Sequence, residues 1–147
     1  MCSSAGVTRP VWSPEKKARY IGASDIPIVR LNPFNILDVK RTGEQSLRDS
    51  GAKYTILRPT GLNDKWPTGR PVLTQGDLAV GRTSRADLAR LLVDLLHEPE
   101  AVQKTLECVV VPGYPAPRSY AQQLSRLYSD EAKAVDGGTA SSSVLIY

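Results

Sequence analysis

The sequence predicts an α/β domain with a doubly wound parallel sheet, and three observations carry the prediction. A small-residue turn, helix, strand, loop, helix, strand and helix follow one another along the chain. Two runs, Lys53 to Arg58 and Thr105 to Val111, are rich in strand formers. The second, TLECVVV, is the near-continuous apolar run of a strand buried on both faces. The segments between them carry apolar residues at helical spacing, bounded by capping residues.

The chain opens on Ser3-Ser4-Ala5-Gly6, a small-residue cluster of the kind that follows a strand, with no strand before it. Val11 to Val29 has no clean period and reads as irregular, with one helical turn at Glu15 to Tyr20. Asn32 then suits an N-cap, with Pro33 at the first helical position, where its missing N–H costs nothing. Ser50-Gly51 supplies the stop. Between them Ile36, Lys40, Gly43 and Leu47 fall near one face, apolar except for one amine. Tyr54-Thr55-Ile56-Leu57 is a short strand closed by Arg58-Pro59. Thr60-Gly61-Leu62 therefore lies beyond a strand's carboxyl end, the place where open α/β sheets bind ligands.

Asn63 to Arg70 is a polar surface loop, with Trp66 either covering a substrate or pinning the loop. Pro71 to Thr74 is a short strand and Gln75-Gly76-Asp77 a turn. Ser84 caps a helix, with Asp87 three residues on, and Leu88, Leu91, Leu92 and Leu95 form its apolar stripe. The Thr105 to Val111 strand follows, with Cys108 as core. After a proline-rich turn, Ser119 to Ala134 reads as an amphipathic helix bearing Tyr120, Leu124, Leu127 and Tyr128. Composition then shifts, dividing the chain into a domain over 1–135 and a flexible Gly/Ser tail over 136–147.

Composition narrows the function classes. At 147 residues and 41% hydrophobic, the chain is one domain's worth. Its charge of +4 comes from 19 basic and 15 acidic residues spread along the chain. Without a basic groove or aromatic platform this argues against nucleic acid, while an anionic small molecule stays compatible. Cys2 and Cys108 show no pairing pattern and suit a reducing compartment. One histidine, His97, reads as a helix-end surface residue, and no metal-ligand set is present. No run approaches the roughly 20 apolar residues of a membrane span, and no signal or transit peptide is evident.

Several short motifs in collinear order carry a family resemblance. They are Ser3-Ser4-Ala5-Gly6-Val7; Lys40 with Gly43-Glu44 and Leu47-Arg48; Ser50-Gly51; Tyr54 to Pro59 with Gly61-Leu62; Gln75-Gly76-Asp77; and Thr83-Ser84-Arg85 with Asp87-Leu88-Ala89. Together, over Cys2 to about Val110, they resemble the atypical short-chain dehydrogenase/reductases, in particular their NAD(P)-binding, NmrA-like branch with its plastid and cyanobacterial members. The resemblance implies the C-terminal half of a Rossmann-like doubly wound parallel sheet, with the N-terminal Gly-rich βαβ half absent. In this reading 1–135 is a partial, truncated NAD(P)-binding domain.

The implied cofactor is NADP or NAD, with Ser3, Ser4, Lys40, Pro59, Thr60, Gly61 and Leu62 lining its nicotinamide side. Lys40 and Ser4 are the catalytic candidates, and Arg58 supports the loop. The implied partners, for an intact parent, are a dinucleotide and a small-molecule substrate, in the plastid stroma or cytoplasm. Two departures matter. No Gly-rich phosphate turn follows a strand, so dinucleotide binding is expected to be weak or absent in this chain. The position of the usual catalytic tyrosine, four residues before the lysine, is Ile36. That leaves a non-enzymatic sensor or protein-interaction module as the competing reading beside an oxidoreductase.

Overall fold

The computed structural model describes residues 1–131. The expected tail over 136–147 lies outside the described residues, as does the end of the helix expected to reach Ala134. In chain order the elements are α1 (Pro14–Arg19), α2 (Ile21–Ser24), α3 (Pro27–Leu31), α4 (Ile36–Asp49), β1 (Thr55–Pro59), β2 (Gly61–Leu62), β3 (Gly69–Thr74), β4 (Arg82–Thr83), α5 (Arg85–Leu95), β5 (Lys104–Pro112) and α6 (Ala121–Leu124).

The main sheet is centred on β5, with β1 parallel on one side and β3 antiparallel on the other. Otherwise parallel sheets often carry such an antiparallel edge strand. It arises here because β3 returns from the Asn63 loop without a crossover helix. The opening residues extend the sheet beyond β1. Leu57 donates its N–H to the Met1 carbonyl (2.9 Å), and Ser3 and Ala5 donate theirs to the carbonyls of Leu57 (2.7 Å) and Pro59 (3.0 Å). The serine pair thus does end a strand-like segment, one too short to leave a sequence pattern. A second, two-stranded parallel pairing joins Gly61-Leu62 of β2 to Arg82-Thr83 of β4.

Strand alternation gives the sheet two unlike faces. Leu57, Leu73, Leu106, Cys108 and Val110 join Leu88, Leu91 and Leu95 of α5, and Tyr120 and Leu124, in one apolar core. On the opposite face Arg58, Thr105 and Glu107 are buried beside Glu44 of α4. TLECVVV is therefore buried on both sides at its start, wholly apolar on one and, at Thr105 and Glu107, polar on the other. Cys108 is fully buried, and burial pushes its thiol up to about 12.

Three local expectations are corrected. The segment from Val11 to Val29 is mostly helical, in three short helices, because Ser13 caps α1 by accepting from the Lys16 N–H (3.3 Å) and Pro14 and Pro27 each sit at a helix start. The next helix starts at Ile36 rather than after Asn32. Asn32 has φ 34° and closes α3, and Pro33–Asn35 form a single 3-10 turn. The Asn32 side chain still serves the later helix, accepting from the Leu37 N–H (3.0 Å). Consequently Leu37 and Glu44 are the buried residues of α4, and Ile36 is 37% exposed. Finally, α6 ends at Leu124, because the following chain is drawn onto the sheet. Gln75 clamps the backbone of Tyr128 from both sides of its amide, and Asp130 donates its N–H to the Gln103 carbonyl (2.8 Å).

Candidate functional site

α4 runs antiparallel to the strands beside it. Gly43 lies against the Met1 side chain, and Leu37, less than two turns earlier, packs with Val7 and Val29. Lys40 lies between these two contacts along the helix, level with Ser3 to Ala5. It shares a helix face with Glu44, four residues on, and stands about 6 Å along the axis from it, nearer the sheet's carboxyl edge. Glu44 is bound to Arg58, the residue before Pro59. The side chain of Lys40 is half-buried and without a hydrogen bond or ion pair to other described residues.

The other expected site residues divide by accessibility. Ser4 is half-buried and its hydroxyl donates to the Ala5 carbonyl (3.1 Å). Ser3 is buried. Its hydroxyl makes no hydrogen bond of acceptable geometry, yet lies near enough to Glu44 to help hold that carboxyl down. Pro59 and Thr60 are buried. The Thr60 hydroxyl is engaged with Thr83 (3.0 Å), and its N–H donates to the Cys108 carbonyl (2.9 Å), so Thr60 anchors the loop. Gly61 and Leu62 are exposed. Ile36 stands at the first position of α4, with Trp66 farther off pinning its loop through an indole N–H to the Val110 carbonyl (3.2 Å). His97 is an exposed residue just past α5.

Beneath these residues lies a buried polar layer that the sequence does not announce. Arg58 donates to Glu44 twice, Nε to Oε1 at 2.9 Å and Nη2 to Oε2 at 2.6 Å, and Arg48 adds a third bond at 3.1 Å. Burial acts to raise the Glu44 carboxyl, but the bonds and charge of Arg58 outweigh it and hold it below the usual carboxylate range. Asp77, in a left-handed conformation, accepts from the Gly6 N–H (2.6 Å), the Thr8 N–H (2.8 Å) and the Thr8 hydroxyl (2.7 Å). The fully buried Arg9 donates to the carbonyls of Asp77, Ala23 and Ala79. Glu107 accepts from the backbone N–H groups of Asp77 and Ala79. Burial, first, and the charge of Asp77 raise its carboxyl above the ordinary value.

This layer fixes the turn after the serine pair and ties α4 to β1. The only sequence signals for it are the Glu inside TLECVVV and the left-handed Gly76-Asp77 turn.

Two polar side chains are half-buried at this edge: the Lys40 amine, with no partner among the described residues, and the Ser4 hydroxyl, which donates to the Ala5 carbonyl. Among the described residues no Gly-rich turn follows a strand, and the Gly6 N–H is already given to Asp77. No group of residues suited to a metal ion is found among the described residues. Nor is any described helix long and apolar enough to cross a membrane.

A mixed α/β sheet whose β1 and β5 are parallel, with helices packed on it, is the architecture of Rossmann-like nucleotide-binding domains. Within that class, the NAD(P)H-binding family model matches residues 1–99, and the chain belongs to this family. Curated relatives include an uncharacterised chloroplast protein of Arabidopsis thaliana, 38% identical over 91 residues that make up 58% of this chain and 28% of the relative. Sanguinarine reductase of Eschscholzia californica is 38% identical over 78 residues, 50% of this chain and 29% of the enzyme. The matched stretches are thus less than a third of these relatives' lengths.

Among solved structures, an oxidoreductase from Lactococcus lactis superposes with a TM-score of 0.60 at 16% identity, over 86% of this chain and 49% of that one, a likeness of fold. An anaerobillin reductase from Escherichia coli O157:H7 gives 0.54 at 26% identity, over 78% of this chain and 50% of that one. A wide-type short-chain dehydrogenase/reductase from Veillonella parvula, solved with NADP, gives 0.52 at 22% identity, over 80% and 52%. The atypical short-chain dehydrogenase/reductase resemblance read from the motifs therefore holds.

Proposed function

We propose that this chain forms the nicotinamide-side wall of an NAD(P)H-binding, reductase-like protein. Lys40 and Ser4 would contact the ribose and carboxamide end, and Pro59 to Leu62 would approach the ring. The observation that carries this reading is the placement of Lys40 one turn from Glu44, whose buried bonds to Arg58 fix α4 against the strand leading into Pro59. When bound, the cofactor would supply or accept a hydride. The protein's part is to hold the lysine amine at the strand ends, with Thr60 locking the loop through Thr83. Ser3 supports from beneath, at the Glu44 carboxylate.

Dinucleotide binding by this chain alone is expected to be weak or absent, because nothing among its described residues grips a pyrophosphate. Isothermal titration of the chain with NADPH tests this. Millimolar or no binding is the expected result, and micromolar affinity would refute it. The plastid names of curated relatives such as the first Arabidopsis protein support a plastid setting for the parent.

A second reading, a dinucleotide-sensing or protein-docking module without catalysis, is favoured by one residue. Ile36 occupies the helical position where a tyrosine would donate a proton, and it supplies no acid. Steady-state assay of NADPH oxidation over a carbonyl panel, by a protein that binds NADPH and contains this chain, separates the two readings. Turnover lost in Lys40→Met supports the reductase, and binding without turnover supports the module.

A further inference from the structure

Pairing of β2 with β4 puts Arg82 directly opposite Gly61. The guanidinium then lies across the glycine, with Nη1 only 2.6 Å from where a Cβ on Gly61 would stand. Arg82 is exposed, and its side chain has no hydrogen bond or ion pair with other described residues. The nearby loop carboxylate does not serve it, since Asp64 is bound by Arg85 at 2.8 Å. The arginine's base is nevertheless fixed, because Thr83 beside it is fully buried and hydrogen-bonded to Thr60. An unpaired guanidinium on a rigid base, at the carboxyl edge and beside the exposed Leu62, presents a planar fork next to an apolar surface.

We propose that Arg82 binds the carboxylate of a small, partly apolar substrate, with Gly61 leaving the space in which the guanidinium lies and Leu62 meeting the apolar part. This rests on the reading of Pro59 to Leu62 as the site's nicotinamide side, and adds the substrate's chemical class to it. A guanidinium fork pairs with a carboxylate or a phosphate alike. The carboxylate is favoured here because the nicotinamide ring, which Pro59 to Leu62 would approach, carries no phosphate.

Sodium benzoate, titrated into the 147-residue chain and followed by the amide spectrum, tests the proposal. Saturable shifts are expected at Gly61, Leu62 and Arg82, weakened about fivefold or more in Arg82→Gln. The same loss is expected in Gly61→Ala, where the added methyl displaces the guanidinium. Arg126→Gln, at an exposed arginine just past α6, should leave the affinity unchanged. Absent shifts at Gly61 and Leu62, or an Arg82→Gln response equal to wild type, overturns the proposal, as does inorganic phosphate moving the same signals as strongly as benzoate. Both variants alter exposed positions, and retained spectral dispersion verifies their folding. The NADPH titration is read separately, so a benzoate response without the expected dinucleotide behaviour tells against the cofactor reading alone.

Discussion

Arg58 and Glu44 form a two-pronged, buried ion pair between β1 and α4, with the Glu44 side chain fully inaccessible and that of Arg58 at 9%. Neither charge has water to fall back on, so removing one partner strands the other. Glu44→Ala is expected to cost about 3–5 kcal/mol in urea unfolding. The apolar pair Glu44→Met with Arg58→Met should recover much of that loss, because the desolvation of both charges disappears together. A double variant no more stable than Glu44→Ala would show that Arg48 and the Ser3 hydroxyl, rather than the pair itself, set the cost.

Two carboxylates of the polar layer should shape stability against pH in opposite directions. Glu44 is held below its ordinary value of 4.5, so its contribution is complete above that value and is lost as pH falls through the lower folded value. Glu107 is raised above 4.5, so the folded state takes up its proton first. Stability should therefore rise as pH falls from neutral through the raised value toward 4.5. Urea midpoints measured from pH 8 to 3 should rise and then drop. Glu107→Gln should abolish the rise and Glu44→Gln should soften the drop, and a profile unchanged in either variant counts against that assignment.

Asp77 combines a left-handed backbone, φ 61°, with hydrogen bonds to Gly6 and Thr8 and an ion-pair contact to the buried Arg9 (3.5 Å). Asparagine tolerates that backbone and keeps an acceptor, whereas alanine does neither. Asp77→Ala should be destabilised by about 3 kcal/mol or more, and Asp77→Asn, which keeps one of the two acceptor oxygens, by less. Amide exchange at Gly6 and Thr8 should accelerate in both variants. Equal losses would place the cost in the missing charge rather than in the backbone and acceptor.

Much of the frame was legible because its signals are local. The Ser84 cap is as expected, with its hydroxyl accepting from the Asp87 N–H (3.1 Å) and donating to the Asp87 carboxylate (2.8 Å). β1, β5, α5 and the Gly76-Asp77 turn followed from short apolar runs and turn residues. The polar layer was not legible, because its bonds join residues far apart: Gly6 to Asp77 spans 71 positions and Asp77 to Glu107 spans 30. An arginine destined for full burial, such as Arg9, looks like any surface arginine in sequence. Tyr120 and Leu124 are buried as their stripe implied, but a periodic stripe cannot foresee that Gln75 and Gln103 capture the chain beyond Leu124. For the proposed site, Lys40 was singled out through the motif resemblance, and Gly61 to Leu62 also through their place beyond the carboxyl end of β1. The apolar face assigned to Ile36 was displaced by one residue, to Leu37, when the helix start moved.

Gly69 separates backbone approach from backbone conformation as reasons for a glycine. A Cβ there would stand 2.1 Å from the Val111 carbonyl oxygen and 2.8 Å from the Pro112 Cα, both backbone atoms of the paired strand. Gly76 is the reverse case, with φ +102° and its nearest neighbours, in Leu78, at an ordinary 3.8 Å. Gly69→Ala must push the start of β3 away from β5, where the strand cannot yield without breaking its ladder, and should cost about 3 kcal/mol or more. Gly76→Ala meets only the left-handed penalty of about 1–2 kcal/mol. Trp66 reports the difference, since its indole donates to the Val110 carbonyl beside the same strand end. Its fluorescence should shift red in folded Gly69→Ala and stay unchanged in Gly76→Ala. If both variants lose the same stability with no change at Trp66, the β3–β5 approach is looser than the backbone distances require.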